Sequence, residues 1–405
     1  MNILLMTNSM KQPDDTYSGK TDVVFYFAKE WAKAGHKVVV IHSETKFPLV
    51  YYLVPKGIIS KMQRKKFFIV PSVASRKRLK REESGIHIYR IPMLKIIPHS
   101  GFTEIQYKSQ LKLVSDYLAE LDFIPDVITG HWLEPQLRLI HDLGKKYHAK
   151  TGFVVHGRLP NNLKPEYKEY IKELNCFFLR SEYMKKLTIE SEQREFMPSR
   201  VSVCYSGIPD HYLNSIVERN DWKRDGVFRI VYVGRLVATK RINAIIEAAA
   251  TYLADRPFSI DIIGDGDEMD NLKAVANSCG ILNRITFHGR LDRDNVQEKL
   301  KEADCFAMIG ENEVFGLVYL EAMAAGCITI ASVGSGVDGI IQNRQNGYLS
   351  PAGNADALGK IFQEIVELNK TDVMEIREKA RRTVIEFTDS NVARMYLDDI
   401  VGKAK

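Results

Sequence analysis

Phe228-Arg229-Ile230-Val231-Tyr232-Val233-Gly234-Arg235-Leu236 opens the second half of the chain. A β-branched run that ends in glycine predicts a strand feeding a tight turn, and residues 243–252 beyond it predict a helix. Further along, residues 258–263, 285–287, 305–309 and 328–331 read as strands, with helices at 269–278 and 318–325 between them. The same beat starts the chain. Residues 3–6 are a short apolar run, and residues 22–33 carry Val23, Val24, Phe27 and Trp31 at helical spacing. Gly35 follows as a helix C-cap and residues 37–41 as a strand. Residues 126–129, 136–148 and 152–155 repeat strand, helix, strand. Parallel strands need such crossovers, so two tandem series predict an α/β protein of two Rossmann-like, doubly wound domains. A length of 405 residues agrees. Ser, Gly, Pro and Asn cluster at 205–225, which sets the expected domains at 1–205 and 206–385. Residues 386–405 are expected to hold an amphipathic helix that packs back across the hinge.

Composition removes several classes. With 45% hydrophobic and 27% charged residues, the chain is neither disordered nor fibrous. No window holds 18 uncharged apolar residues, so no bilayer-spanning helix is expected. Met1-Asn2-Ile3-Leu4-Leu5 lacks a basic leader and reads as a first strand, not a signal peptide. Five dispersed cysteines without a CxxC pair suit a reducing cytosol and neither a zinc knuckle nor a disulfide scaffold. The net charge of +6 hides an asymmetry: 33 Lys/Arg against 21 Asp/Glu in residues 1–200, and 24 against 30 thereafter. An anionic partner for the first half is one reading of that imbalance.

Two familiar signatures fail on inspection. Gly19-Lys20-Thr21 resembles the end of a phosphate-binding Walker loop, but Asp14 stands where its first glycine belongs. Gly264-Asp265-Gly266 lies between a strand and a helix like a dinucleotide fingerprint, yet Met269 replaces the third glycine. The informative stretch is Glu313-Val314-Phe315-Gly316-Leu317-Val318-Tyr319-Leu320-Glu321-Ala322-Met323-Ala324-Ala325-Gly326. Two carboxylates eight residues apart bracket a Phe-Gly-Leu turn into a helix. The first N–H groups and dipole of such a helix can hold a phosphate. A carboxylate can accept both hydroxyls of a ribose, and Glu321 inside an apolar helix face needs a partner of some kind.

This Glu-x7-Glu pattern, followed by Ala-Met-Ala-x-Gly, resembles the signature of family 4 retaining glycosyltransferases of the GT-B fold. Gly234-Arg235-Leu236 with Lys240 is similar to that family's Gly-Arg-Leu…Lys element, Gly264-Asp265-Gly266 to its Gly-Asp-Gly turn, and Phe287-His288-Gly289 to its nucleobase segment. Gly334, Gly339 and Asn346-Gly347 fall in the loops after the signature helix. Ser18-Gly19, Gly35-His36-Lys37-Val38, His131, Val155-His156-Gly157 and Ser206-Gly207-Ile208-Pro209-Asp210 follow the family order at scattered points; Ser18, Ser206 and Asp338 depart from the usual residues.

The resemblance implies two Rossmann-like domains facing across a cleft, the first binding acceptor and the second a nucleotide-diphosphate sugar. It assigns His156, Arg235, Lys240 and Glu313 to catalysis. It assigns Gly19, Arg235, Lys240, Gly264, His288, Gly289, Glu313, Phe315, Gly316, Leu317 and Glu321 to the donor, and Gly19 and His131 to the acceptor. Arg235 and Lys240 can neutralise a departing phosphate, and Asp265-Gly266-Asp267 and Asp292-Arg293-Asp294 are explained by turn and helix-start chemistry. The expectation is therefore metal-independent transfer with no cofactor, front-face and retaining, to a glycan or lipid-linked glycan in cell-surface polysaccharide synthesis. A nucleotide-sugar epimerase or hydrolase, or a non-catalytic nucleotide-sugar-binding protein, remain the alternatives.

Residues 56–81 hold ten Lys/Arg and no acid, with Phe67, Phe68, Ile69 and Val70 interleaved. They read either as a solvated basic loop or as a contact with anionic lipid headgroups, each basic residue contributing about 1 kcal/mol at such a surface. Nucleic acid is not expected, because no RNA-binding module accompanies the patch. The place expected is the cytoplasm, at the inner face of the plasma membrane if the segment docks there.

Overall fold

The computed structural model describes residues 1–11, 23–53, 76–96, 101–215, 222–311, 313, 315–334 and 336–403. The chain divides into two compact units. The first comprises Met1–Arg180, Leu187–Cys204 and Ala393–Lys405; the second comprises Ser181–Lys186 and Tyr205–Val392.

In the first unit the strands are β1 (Asn2–Thr7), β2 (Lys37–Lys46), β3 (Leu79–Glu83), β4 (Ile86–Leu94), β5 (Val127–His131), β6 (Lys150–Val154), β7 (Cys176–Leu179) and β8 (Val201–Val203). They form one sheet in the order β3-β4-β2-β1-β5-β6-β7-β8, parallel except for the antiparallel pair β3–β4. Ile3, Leu4, Leu5 and Met6 on β1 and Val39, Val40 and Ile41 on β2 are fully buried, as strands covered on both faces require. The helix Val23–Lys33 turns Val24, Phe27, Ala28 and Trp31 inward, the stripe that its spacing predicts. The C-terminal segment closes the same core. Trp31 Nε1 donates to the Ala393 carbonyl at 2.8 Å, and Tyr396 lies edge-on to Phe27 and Phe178 with its hydroxyl bonded to Thr129 Oγ1.

The second unit adds β9 (Phe228–Val233), β10 (Phe258–Ile263), β11 (Ile285–Gly289), β12 (Cys305–Met308), β13 (Ile328–Ser332) and β14 (Tyr348–Ser350). Its sheet is parallel throughout, in the order β11-β10-β9-β12-β13-β14. The chain moves outward from β9 to β10 and β11, then returns to the other side of β9 with β12. That reversal between β9 and β12 is a topological switch point, where the loops leaving the two strand ends part and open a crevice. In the first unit the equivalent reversal lies between β1 and β5.

The basic stretch 56–81 differs from a single solvated loop. Residues 56–75 lie outside the described residues, but Lys80 and Arg81 sit on β3, paired with Glu120 and Glu83, and Arg76 donates to the Phe47 carbonyl. An antiparallel edge strand with four consecutive charged residues was legible only as part of the charge run. Among the described residues no helix is long and apolar enough to cross a membrane.

Candidate active site

In the second unit the crevice is built by three loops at the carboxyl ends of β9, β10 and β12. The β9 loop is fixed first: Gly234 N–H donates to the Ile263 carbonyl at 2.9 Å, and Leu236 N–H to the Asp265 carbonyl at 3.0 Å. The β10 loop approaches so closely that a Cβ on Gly264, whose φ is +143°, would stand 1.8 Å from the Gly234 carbonyl oxygen. Only glycine fits there. The β12 loop then joins the short turn Ala238–Lys240 through Glu311 N–H to the Thr239 carbonyl at 2.8 Å, and Arg241 grips Glu311 at 2.6 and 2.9 Å.

These ties bring Lys240 and Glu313 together across the switch point. Lys240 Nζ is hydrogen-bonded to Glu313 Oε1, and the side chains are 23% and 8% exposed. Desolvation on this scale makes the pair interdependent, since either charge left alone would be costly. Burial, followed by the Glu313 charge, raises the ionisation of the neighbouring Tyr232 and Tyr319 hydroxyls far above the usual tyrosine range. Both phenols therefore stay protonated and donate, Tyr232 to the Arg235 carbonyl at 3.0 Å and Tyr319 to the Met308 carbonyl at 2.7 Å. Arg235 itself is exposed, and its guanidinium makes no hydrogen bond or ion pair among the described residues.

The helix Leu317–Ala324 begins at Gly316, whose φ of +77° suits glycine alone. The Tyr319 ring leaves no room either, since a Cβ on Gly316 would stand 2.5 Å from it. The first N–H groups of a helix have no intrahelical partner, so Leu317 and its neighbours present donors to the crevice. Phe315 is buried against Tyr205, which leaves its backbone rather than its ring for a ligand. Glu321 lies one turn down, buried, and is held by Arg293 Nε and NH2 at 3.0 and 2.7 Å, both on Oε1. Arg293 was missed as a site residue. It lies in Asp292-Arg293-Asp294, where Asp292 caps the helix Arg293–Glu302 by accepting from Asn295 N–H at 2.9 Å, and nothing in that local pattern points to Glu321. His288 on β11 turns its Nε2 to Asp261.

In the first unit, β5 and β6 end side by side, with His131 in register with Val154. His156 follows two residues beyond β6, and its Nε2 meets His131 Nδ1 at 2.8 Å. Trp132, held at φ +67°, stacks its ring on His156 with centroids 4.2 Å apart and planes 7° apart. Burial, aided by the Arg180 guanidinium, pushes His156 down to about 3 and His131 well below the usual histidine range, so both rings are neutral near pH 7. His131 is fully buried. It is bonded to His156 and touches no solvent in this structure. Gly19 lies outside the described residues.

The sheets, their switch points and their loops define the GT-B glycosyltransferase fold. A glycosyltransferase of Rickettsia africae is similar with a TM-score of 0.70 at 17% identity, over 99% of each chain. HepE of Anabaena, solved with UDP, is similar with a TM-score of 0.69 at 15% identity, over 99% of this chain and 100% of that one. More narrowly, residues 216–383 match the model of the family described as glycosyl transferases group 1. Among curated relatives, the N-acetyl-alpha-D-glucosaminyl L-malate synthase of Bacillus anthracis is 29% identical over 41% of this chain and 43% of that protein. The alpha-monoglucosyldiacylglycerol synthase of Streptococcus pneumoniae is 22% identical over 68% of this chain and 64% of that protein. The chain thus spans less than two thirds of the length of these relatives.

Proposed function

We propose that the protein is a family 4 retaining glycosyltransferase that moves a sugar from a nucleotide-diphosphate sugar to a glycan or lipid-linked glycan acceptor. The observation that carries this reading is the Lys240–Glu313 pair at the switch point, with the buried, Arg293-held Glu321 one turn into the helix that begins at Leu317. In a donor complex the pair would divide: Lys240 and Arg235 take the charge developing on the diphosphate, while Glu313 accepts from sugar hydroxyls and offsets positive charge at the anomeric carbon. The N–H groups at Leu317 bind phosphate, and Glu321 accepts the ribose hydroxyls. The departing phosphate removes the acceptor proton on the same face, and no metal or cofactor is required. UDP in HepE supports a nucleoside diphosphate as the leaving group. The first unit binds the acceptor.

The reading extends to place. Residues 56–81 touch anionic lipid headgroups at the cytoplasmic face of the membrane, in the assembly of a surface polysaccharide or glycolipid. Exposed Leu49, Val50 and Leu53, directly before this segment, support an interfacial contact. Calorimetry in EDTA with UDP, GDP, ADP and their sugar conjugates tests the core of the proposal. Selective binding of one nucleoside diphosphate is expected; at a hundred times its Kd a ligand stabilises by about 2.7 kcal/mol, visible as a thermal shift. Binding only when a divalent cation is restored would overturn metal independence, and steady release of free sugar without acceptor would make the protein a hydrolase.

A further inference from the structure

The paired histidines of the first unit carry more than a place in a sequence motif. Their rings share a single proton-mediated bond, and each ring has one further nitrogen. His131 Nε2 is buried and has no hydrogen-bond partner. His156 Nδ1 makes no hydrogen bond among the described residues, and His156 is not sealed from solvent as His131 is. Two arrangements of the shared proton are possible. If His156 Nε2–H donates, His131 must carry its own proton on Nε2, leaving an N–H donor stranded in the interior. If His131 Nδ1–H donates, the stranded atom is an unprotonated nitrogen, and the His156 proton is placed on Nδ1.

The surroundings favour the second arrangement. Orphaned buried N–H groups are the rarer kind. The His131 ring lies between Phe27, with centroids 5.8 Å apart, and Tyr396, also 5.8 Å away and edge-on, neither of which hydrogen-bonds to it. Burial and the Arg180 guanidinium disfavour a second proton on either ring. Trp132, stacked flat on His156, prevents that ring from turning out of the arrangement. Both rings remain neutral over the working range, so no third proton complicates the choice.

We propose that His131 is a positioning residue that holds His156 as its Nδ1–H tautomer, so that His156 meets a substrate oxygen as a neutral hydrogen-bond donor and never as a general base. The use of that donor rests on the transferase reading above; the tautomer does not. For a sugar substrate, an N–H fixed by its neighbour orients a hydroxyl or ring oxygen without exchanging protons with it. His131 acts only through His156.

The test begins with the unaltered protein, labelled with 15N in its histidines, by two-bond imidazole correlation spectra at pH 7.5. The expected pattern for His156 is a protonated Nδ1 and an unprotonated Nε2; the reverse assignment overturns the proposal. His131→Asn keeps an N–H near the place of Nδ1–H and is expected to preserve that pattern and most of the turnover. His131→Leu is expected to give mixed tautomers at His156 and to lower kcat about 10- to 100-fold, the range seen when a positioning partner is lost, with the nucleotide Kd unchanged. An unchanged His156 tautomer in the leucine variant also overturns it. Should the tautomer be as stated while no sugar is transferred, the functional reading fails and the positioning role stands.

Discussion

At the scale of single residues, Lys240 and Glu321 have separable duties although both are tied to partners in the same unit. In the proposed reaction Lys240 meets charge that grows during bond cleavage, so Lys240→Ala is expected to lower kcat by about 10²–10³-fold, the usual loss for one preorganised donor, with less than a few-fold change in nucleotide affinity. In the same proposal Glu321 meets a ribose that is unchanged before and after transfer. Glu321→Ala is expected to weaken nucleoside diphosphate binding by about 10- to 100-fold, the worth of one charged hydrogen bond, with kcat at saturation little changed. Calorimetry beside steady-state kinetics on the two variants checks both, and matching effects on Kd and kcat in either variant would contradict the division.

Among elements, the loops carry the precision and the strands the legibility. Strands at 228–233 and 258–263 and the helix at 269–278 are read from sequence with the bounds they have in the fold, because apolar residues dominate both strands and Leu272 and Ala276 recur at helical spacing. β3 was not legible: its Leu-Lys-Arg-Glu-Glu sequence has four consecutive charged residues and no apolar face, which an edge strand tolerates. At the site, Glu313 and Glu321 were legible from spacing and apolar context. Their partners were harder to foresee, because Lys240 reaches Glu313 across 73 residues and Arg293 reaches Glu321 across 28. Gly264 tests how tightly the loops are set. Gly264→Ala would drive a methyl group into the Gly234 carbonyl at a positive φ, and is expected to cost about 2–4 kcal/mol, read as a lower Tm and a weaker nucleotide site. A loss under about 0.5 kcal/mol would mean that the β9 and β10 loops separate freely.

For the whole molecule, the neutral buried histidines set the response to acid. An unfolded chain binds protons on His131 and His156 from about pH 6.5 downward. The folded unit resists until its depressed values, about 3 for His156, are reached. The unfolded state therefore gains protons first, and stability that is complete above about pH 6.5 declines as pH falls, by up to about 1.4 kcal/mol per pH unit for each ring. Hydrogen exchange at pH 5 and pH 8 is expected to show protection falling at β5 and β6 before β9 and β12; uniform loss across both sheets would refute the assignment. One further property follows from the path of the chain, which returns to its first unit only at Ala393–Lys405. On a ribosome, Phe27, Trp31 and Phe178 emerge well before the Tyr396 that they surround and the Ala393 carbonyl that Trp31 binds. Until that stretch emerges, a nascent polypeptide holds an unfilled aromatic slot, the kind of surface that chaperones bind. A product cut short before residue 393 keeps that slot open.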